Sequence, residues 1–195
     1  MVPVWLVRHA ATTTPAGITV GAGDPPLSDL GHAEARRLAA SFAGRPLVRV
    51  LSSDLHRAME TAAAIAAPHL LAVEATPALR ELDFGAWEGR DLRDLWRDEP
   101  VAARAWEADI ADTPRSFAES VRDLELRVRN FWQGFAVTGE VVVVAHRGSL
   151  AALQALLSGR QFAECFRAPA AWVEVQVRSR RTARSASPSP RRRAT

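Results

Sequence analysis

At 195 residues and 48% hydrophobic, the chain is long enough to bury one full core and reads as a single domain. Its formal net charge of +3 conceals an uneven distribution. All 25 basic residues are arginine, seven of them fall in the last 18 residues, which hold no acid, and the rest face 22 Asp and Glu. The body is therefore mildly acidic, and neither a nucleic-acid partner nor a membrane is expected, since no apolar run is long enough to span one. The single cysteine, Cys165, cannot close an internal disulfide, and the first apolar run breaks at Arg8 where a secretion signal would continue, so a cytoplasmic setting is expected. Five scattered histidines and one cysteine have no metal-ligand spacing, so no metal and no cofactor is expected.

The chain opens with Val4-Trp5-Leu6-Val7, an apolar run that ends at Arg8-His9 and enters Ala10-Ala11-Thr12-Thr13-Thr14. This is the pattern of a buried strand delivering two basic side chains into the crevice where open α/β sheets bind ligands. An arginine there pairs with an anion and a neutral histidine serves as base or nucleophile, while the dipeptide alone equally fits a salt bridge and a capped core histidine. Thr12 to Pro26 is a Pro/Gly/Thr loop, followed by a helix start at Ser28-Asp29 and helical spacing over Ala33 to Phe42. Leu47–Leu51 reads as a strand leading through Ser52-Ser53-Asp54-Leu55-His56 into an alanine-rich, capped helix with Arg57 just inside its N-terminus.

Leu71–Val73 is a further short strand, and Leu79 to Gly89 is a loop with acids, aromatics and two glycines. Helical patterns follow at Leu92–Arg97 and Phe117–Phe135. Val141–Ala145 is the clearest strand, a β-branched run of the kind buried on both faces. It ends in His146-Arg147-Gly148, after which Ser149 is placed to cap a helix over Leu150–Leu157. Trp172–Val177 closes the fold, and the Arg/Ser/Pro-rich residues 178–195 are expected to be a disordered tail outside the 1–177 domain.

Three strand ends thus present Arg8-His9, Arg57 and His146, and a loop adds Glu81. Singly, each has an ordinary explanation. Arg57 pairs with Glu60 or Asp54, His146 is a satisfied core histidine, and Glu81 is solvated. Jointly, they resemble the histidine phosphatase (phosphoglycerate mutase-like) superfamily from Val4 to about Val177. Four blocks in order carry the likeness. They are Leu6-Val7-Arg8-His9; Asp24 with Pro26-Leu27-Ser28, Gly31, Glu34 and Ala35; Ser52 to Ala58 with Thr61-Ala62; and Arg80-Glu81 with Asp83 to Gly89, closed by Val144-Ala145-His146 and Gly148.

The resemblance implies a three-layer α/β/α sandwich with a mostly parallel sheet, and a metal-free phosphohistidine mechanism on a small-molecule phosphomonoester. His9 would attack phosphorus, Arg8, Arg57 and His146 would bind the phosphoryl oxygens, and Glu81 would serve as acid and then base. Thr12, Gly21, Arg80 and Gly148 are the expected substrate contacts. The two arginines beside His9 are expected to keep it neutral.

The sequence departs from the superfamily pattern at several positions. Ala10 stands for a usual glycine, Ala11 for an acid or amide, Pro15 for an asparagine, and Thr113-Pro114-Arg115-Ser116 for a Gly-Gly-Glu-Ser stretch. His146-Arg147-Gly148 replaces the usual His-Gly-Gly. Compact length and the Asp83–Gly89 block look most like α-ribazole-5′-phosphate phosphatases. Alternatives are phosphoglycerate mutase-type phosphotransfer, a degenerate phosphate-binding protein kept open by Ala10 and Ala11, and a polyanion adaptor built on the tail.

Overall fold

The computed structural model describes residues 1–110, 117–167 and 172–179. One sheet contains β1 (Val2–Arg8), β2 (Leu47–Ser53), β3 (Val73–Thr76), β4 (Glu140–Ala145) and β5 (Trp172–Val177), in the spatial order β3-β2-β4-β1-β5. The first four run parallel and β5 lies antiparallel along β1. The described helices are α1 (Asp29–Phe42), α2 (His56–Ala66), α3 (Leu92–Asp98), α4 (Pro100–Ala108), α5 (Val121–Gln133), α6 (Arg147–Ser158) and α7 (Phe162–Arg167).

Strand alternation divides the core into two layers. Val4, Leu6, Leu51, Val141 and Val143 pack with Leu124 and Val128 of α5 and Leu153 of α6. Trp5, Val7, Val50, Val142 and Val144 pack on the opposite face with Phe42 of α1 and Ala62 and Ile65 of α2. The result is the expected α/β/α sandwich with a mostly parallel sheet. Val141 to Val144 are all fully buried, each contributing roughly 1.5–3 kcal/mol of burial, so β4 anchors both layers.

This topology sets where the chemistry sits. Arg8 lies opposite Ala145, and the His9 N–H donates to the Ala145 carbonyl at 3.0 Å, extending the β1–β4 ladder by one residue. Because β2, β4 and β1 are neighbours, Ser53, His146 and His9 emerge side by side at the carboxyl ends of the sheet.

Several boundaries differ from the sequence reading, each for a physical reason. Helix α6 starts at Arg147 with His146 as its N-cap residue, and the Ser149 hydroxyl accepts from the His146 N–H at 3.2 Å instead of capping a later start. Helix α2 has no side-chain cap of its own; the Asp24 carboxylate, from the preceding loop, accepts from the His56 N–H at 2.9 Å. Helix α5 begins at Val121, behind a Ser120–Asp123 capping box. Helix α4 was unforeseen because Pro100, which reads as a stop, is its first residue, and α7 has only six residues to show a period. Strand β3 lies two residues later than expected, since Leu70 takes a left-handed φ of 55° that delays the extended run.

Thr113–Ser116 and residues 180–195 of the expected tail lie outside the described residues. Ser179 is described, and its hydroxyl donates to the Val137 carbonyl at 3.1 Å. Among the described residues no helix is long and apolar enough to cross a membrane.

The loop after β1 is clasped by the start of α1. The Ala11 carbonyl accepts from the Ser28 N–H at 3.0 Å, and the Ala11 N–H donates to Glu34 at 2.9 Å. That closeness requires glycine at position 31, where a Cβ would stand 1.9 Å from the Ala11 carbonyl oxygen. Gly31→Ala is expected to destabilise the fold by roughly 1–3 kcal/mol, the scale of core overpacking. Melting temperature should fall by about 2–4 °C per kcal/mol. Gly44→Ala, whose Cβ meets nothing within 4 Å, should leave it unchanged, and calorimetry of both variants checks this.

Candidate active site

The site begins with the backbone just beyond β1. The His9 Nδ1 lies 2.8 Å from the Ala10 carbonyl oxygen, and with Nδ1–H donating, Nε2 carries the free lone pair. The Ala10 N–H donates to the Thr61 hydroxyl at 3.1 Å, which fixes this peptide against α2. Leu70 is the one described non-glycine residue with positive φ, so Ala10 keeps an ordinary backbone and its methyl is accommodated. His9 is held down to a pKa of about 4. Burial is the main cause, Arg57 and Arg8 add to it, and the Ala10 contact and Asp24 oppose it. The sequence reading credited the arginines; burial comes first.

The two arginines are not equivalent. Arg8 is exposed to the cleft and has no acidic ion-pair partner among the described residues. The buried cation is Arg57, only 1% exposed. Its Nη1 donates to the Gly23 carbonyl at 2.5 Å and reaches Asp24 at 3.5 Å, and its Nη2 donates to the Gly21 carbonyl at 3.0 Å. Nε and the second Nη2 hydrogen stay free of these bonds. Glu88 organises the same loop, accepting from the Gly21 and Ala22 N–H groups at 2.9 Å.

His146 is fully buried, with its ring centroid 5.0 Å from that of His9. Its Nε2 lies 2.9 Å from the Ser53 hydroxyl. The same Ser53 hydroxyl accepts from the Leu55 N–H at 3.3 Å, which ties the His146 ring to the end of β2. Nδ1 is buried without a partner among the described residues. Burial, then His9, Arg57 and Arg8, drive the His146 pKa well below its ordinary value, so the ring is neutral. The neutral His146 ring thus stands beside His9 and the two guanidiniums with one buried nitrogen unanswered among the described residues.

Glu81 lines the same cavity. Its carboxyl accepts from the Leu82 N–H at 2.8 Å and from the Gly148 N–H at 2.9 and 3.1 Å. Burial pushes its pKa up, against the lowering effect of those N–H groups and of Arg8 and Arg57. Arg127 steadies this loop, donating to the Glu81 carbonyl at 3.0 Å and forking onto Glu119 at 2.6 and 2.9 Å.

Arg8, His9, Arg57 and Glu81 share one cavity of about 420 Å³, walled by Phe84, Trp87, Trp106 and Phe166. Of the four expected substrate contacts, Thr12 lines this cavity. The other three expected substrate contacts are placed differently. Arg80 is outside the lining and forks onto Asp54 at 2.7 Å through both Nε and Nη2, and that bond raises its pKa while lowering that of Asp54. Gly21 is occupied at both ends, its N–H by Glu88 and its carbonyl by Arg57. Gly148 spends its N–H on Glu81, and a Cβ there would stand 2.4 Å from Glu81 Oε1, so its role is to let the carboxyl approach. Arg127 was missed, and Ser53 and Thr61 stood in the motif blocks without a role, one that buried polar residues inside apolar stretches signal.

The arrangement combines a neutral imidazole with a free lone pair, a second buried imidazole, two guanidiniums and a carboxyl with raised pKa, the parts needed for phosphoryl transfer. Known proteins give the same reading. The model of the histidine phosphatase superfamily (branch 1) matches residues 4–186. The chain is 32% identical over 158 residues to the adenosylcobalamin/alpha-ribazole phosphatase of Salmonella typhimurium, covering 79% of this chain and 78% of that one. It is 34% identical over 164 residues to the glucosyl-3-phosphoglycerate phosphatase of Mycolicibacterium vanbaalenii, covering 79% and 73%. The solved structure of a mycobacterial glucosyl-3-phosphoglycerate phosphatase matches with a TM-score of 0.77 and 30% identity over 88% of each chain. The chain therefore belongs to the histidine phosphatase superfamily and is a phosphatase.

Proposed function

We propose that the chain hydrolyses small-molecule phosphomonoesters through a phosphohistidine formed on His9, without a metal. The observation that carries this reading is His9 itself, kept neutral between two guanidiniums and tethered through Nδ1 so that Nε2 remains nucleophilic. Nε2 attacks phosphorus, the P–O bond to the alcohol breaks, and the Glu81 proton passes to the leaving alkoxide. Arg8, Arg57 and His146 bind the phosphoryl oxygens, supplying the charge stabilisation a metal gives elsewhere. In the second step ionised Glu81 takes a proton from water, the water oxygen attacks phosphorus, the P–N bond breaks, and Glu81 is protonated again. The leaving alcohol faces Phe84, Trp87, Trp106 and Phe166. That wall suits a flat apolar body, so α-ribazole 5′-phosphate is one member of the class to assay.

His9→Ala should lower turnover by about 10³-fold or more, as loss of a nucleophile does. The parent rate should be unaffected by EDTA. A chelator-induced loss restored by magnesium or zinc contradicts the metal-free reading.

The pH profile of kcat/KM follows from the two shifted groups. As pH falls through about 4, His9 gains a proton, loses its lone pair, and the rate drops. As pH rises through the Glu81 pKa, which burial holds above the ordinary carboxyl value of 4.5, the acid ionises and hydrolysis of alkyl phosphates drops. Stopped-flow or steady-state profiles on an alkyl phosphate check both limbs.

Glu81→Gln separates acid catalysis from mere positioning. Proton donation contributes typically ~10²–10⁴-fold where the leaving group is a basic alkoxide, and little for nitrophenolate. The variant should therefore lose far more in the phosphorylation burst with an alkyl phosphate than with p-nitrophenyl phosphate. Equal losses would remove Glu81 from the acid's role.

A further inference from the structure

Arg147 is a cavity residue that this chemistry does not use. It is the first residue of α6, directly after His146, at a position where the superfamily usually carries glycine. Its Nε donates to the Phe166 carbonyl at 2.8 Å, and its guanidinium lies 4.4 Å from the centroid of the Phe166 ring. Helix α7 thus fixes the plane of the group while engaging one of its five N–H donors. No acidic side chain among the described residues makes an ion pair with it. The charges that act on it are Arg8 and Glu81, which face the same space.

Its position within the cavity matters as much as its charge. Arg147 lines the 420 Å³ cavity that holds His9, and also an adjoining cavity of about 330 Å³. Trp87, Leu92 and Trp106 are the other residues common to both walls. The guanidinium therefore stands where the body of the leaving alcohol must pass, set in an otherwise aromatic and apolar boundary. A cation held there without an acidic ion-pair partner among the described residues is stabilised by an incoming anion, and its fork matches a carboxylate or phosphate in two-point contact.

We infer that Arg147 forms an anion subsite for the leaving alcohol, so the preferred substrates are phosphomonoesters whose alcohol carries a second anionic group, a carboxylate or another phosphate. The inference rests on the phosphatase reading of His9. Arg8, Arg57 and His146 receive the transferred phosphoryl group, and Arg147 receives the second anion and determines specificity. Esters of uncharged alcohols rank below such substrates.

A matched pair of ligands tests this. 3-Phosphoglycerate and glycerol 3-phosphate share the phosphorylated carbon and differ by a carboxylate in place of a hydroxymethyl group. Each is added as a competitor of p-nitrophenyl phosphate hydrolysis by the full chain. The expected result is an inhibition constant about tenfold or more lower for 3-phosphoglycerate, the scale of one charge-assisted hydrogen-bonded contact. In Arg147→Gly the two constants should converge, chiefly through weaker binding of 3-phosphoglycerate, and Arg147→Lys should keep part of the preference. A fold defect or a role in clamping the transferred phosphate would instead weaken both ligands alike. Equal inhibition in the parent, no inhibition by either ligand, or parallel loss in Arg147→Gly overturns the inference. Failure of the phosphatase reading shows separately, as no release of nitrophenolate by the parent. The pair is then compared by calorimetric Kd, with the same expectations.

Discussion

The contact between His9 Nδ1 and the Ala10 carbonyl is the interaction on which the remaining site geometry depends. It sets the tautomer, and burial keeps the ring uncharged, so a free imidazole lone pair survives beside two permanent cations. Much of the surrounding fold holds that one peptide still. Thr61 of α2 grips the Ala10 N–H, while Ser28 and Glu34 of α1 grip both ends of the Ala11 peptide. The helices on one face of the sheet thus serve as a vise for the residues just beyond β1.

The second constraint is a buried cation. Arg57 is satisfied by two carbonyls of the Gly21–Gly23 loop and the more distant Asp24 carboxylate, which in turn caps the helix that carries Arg57. Glu88 ties down the N–H groups of that loop, so cation, loop and helix start are mutually dependent. Both histidines stay neutral, and Arg8 lacks an acid partner among the described residues. A phosphate dianion would supply the missing negative charge. Apart from the 3.5 Å Arg57–Asp24 pair, the cations of the site have no ion-pair partner among the described residues.

Much of this was legible before any coordinates. Strands that end in Arg8-His9, Ser52-Ser53 and His146 announce a polar crevice, because an apolar run that stops at basic or hydroxyl residues has to deliver them somewhere. What escaped was set by tertiary contact. Nothing in Arg80-Glu81 tells which side chain turns inward; only the position of Asp54 decides that Arg80 stays on the surface. Glycines 21 and 148 looked like ligand contacts, yet both serve protein carboxylates, a distinction made by steric clearance across the chain. Arg147 read as a blemish in a motif, and its meaning depends on Phe166, nineteen residues away.

The central claim is that phosphate passes through His9, and trapping the covalent intermediate tests it most directly. Rapid quench of the chain with a phosphorylated substrate, followed by digestion and mass mapping under basic conditions, should place an acid-labile, base-stable phosphoryl group on His9 alone. Phosphate found on His146, or turnover with no phosphoenzyme at any quench time, would contradict the account.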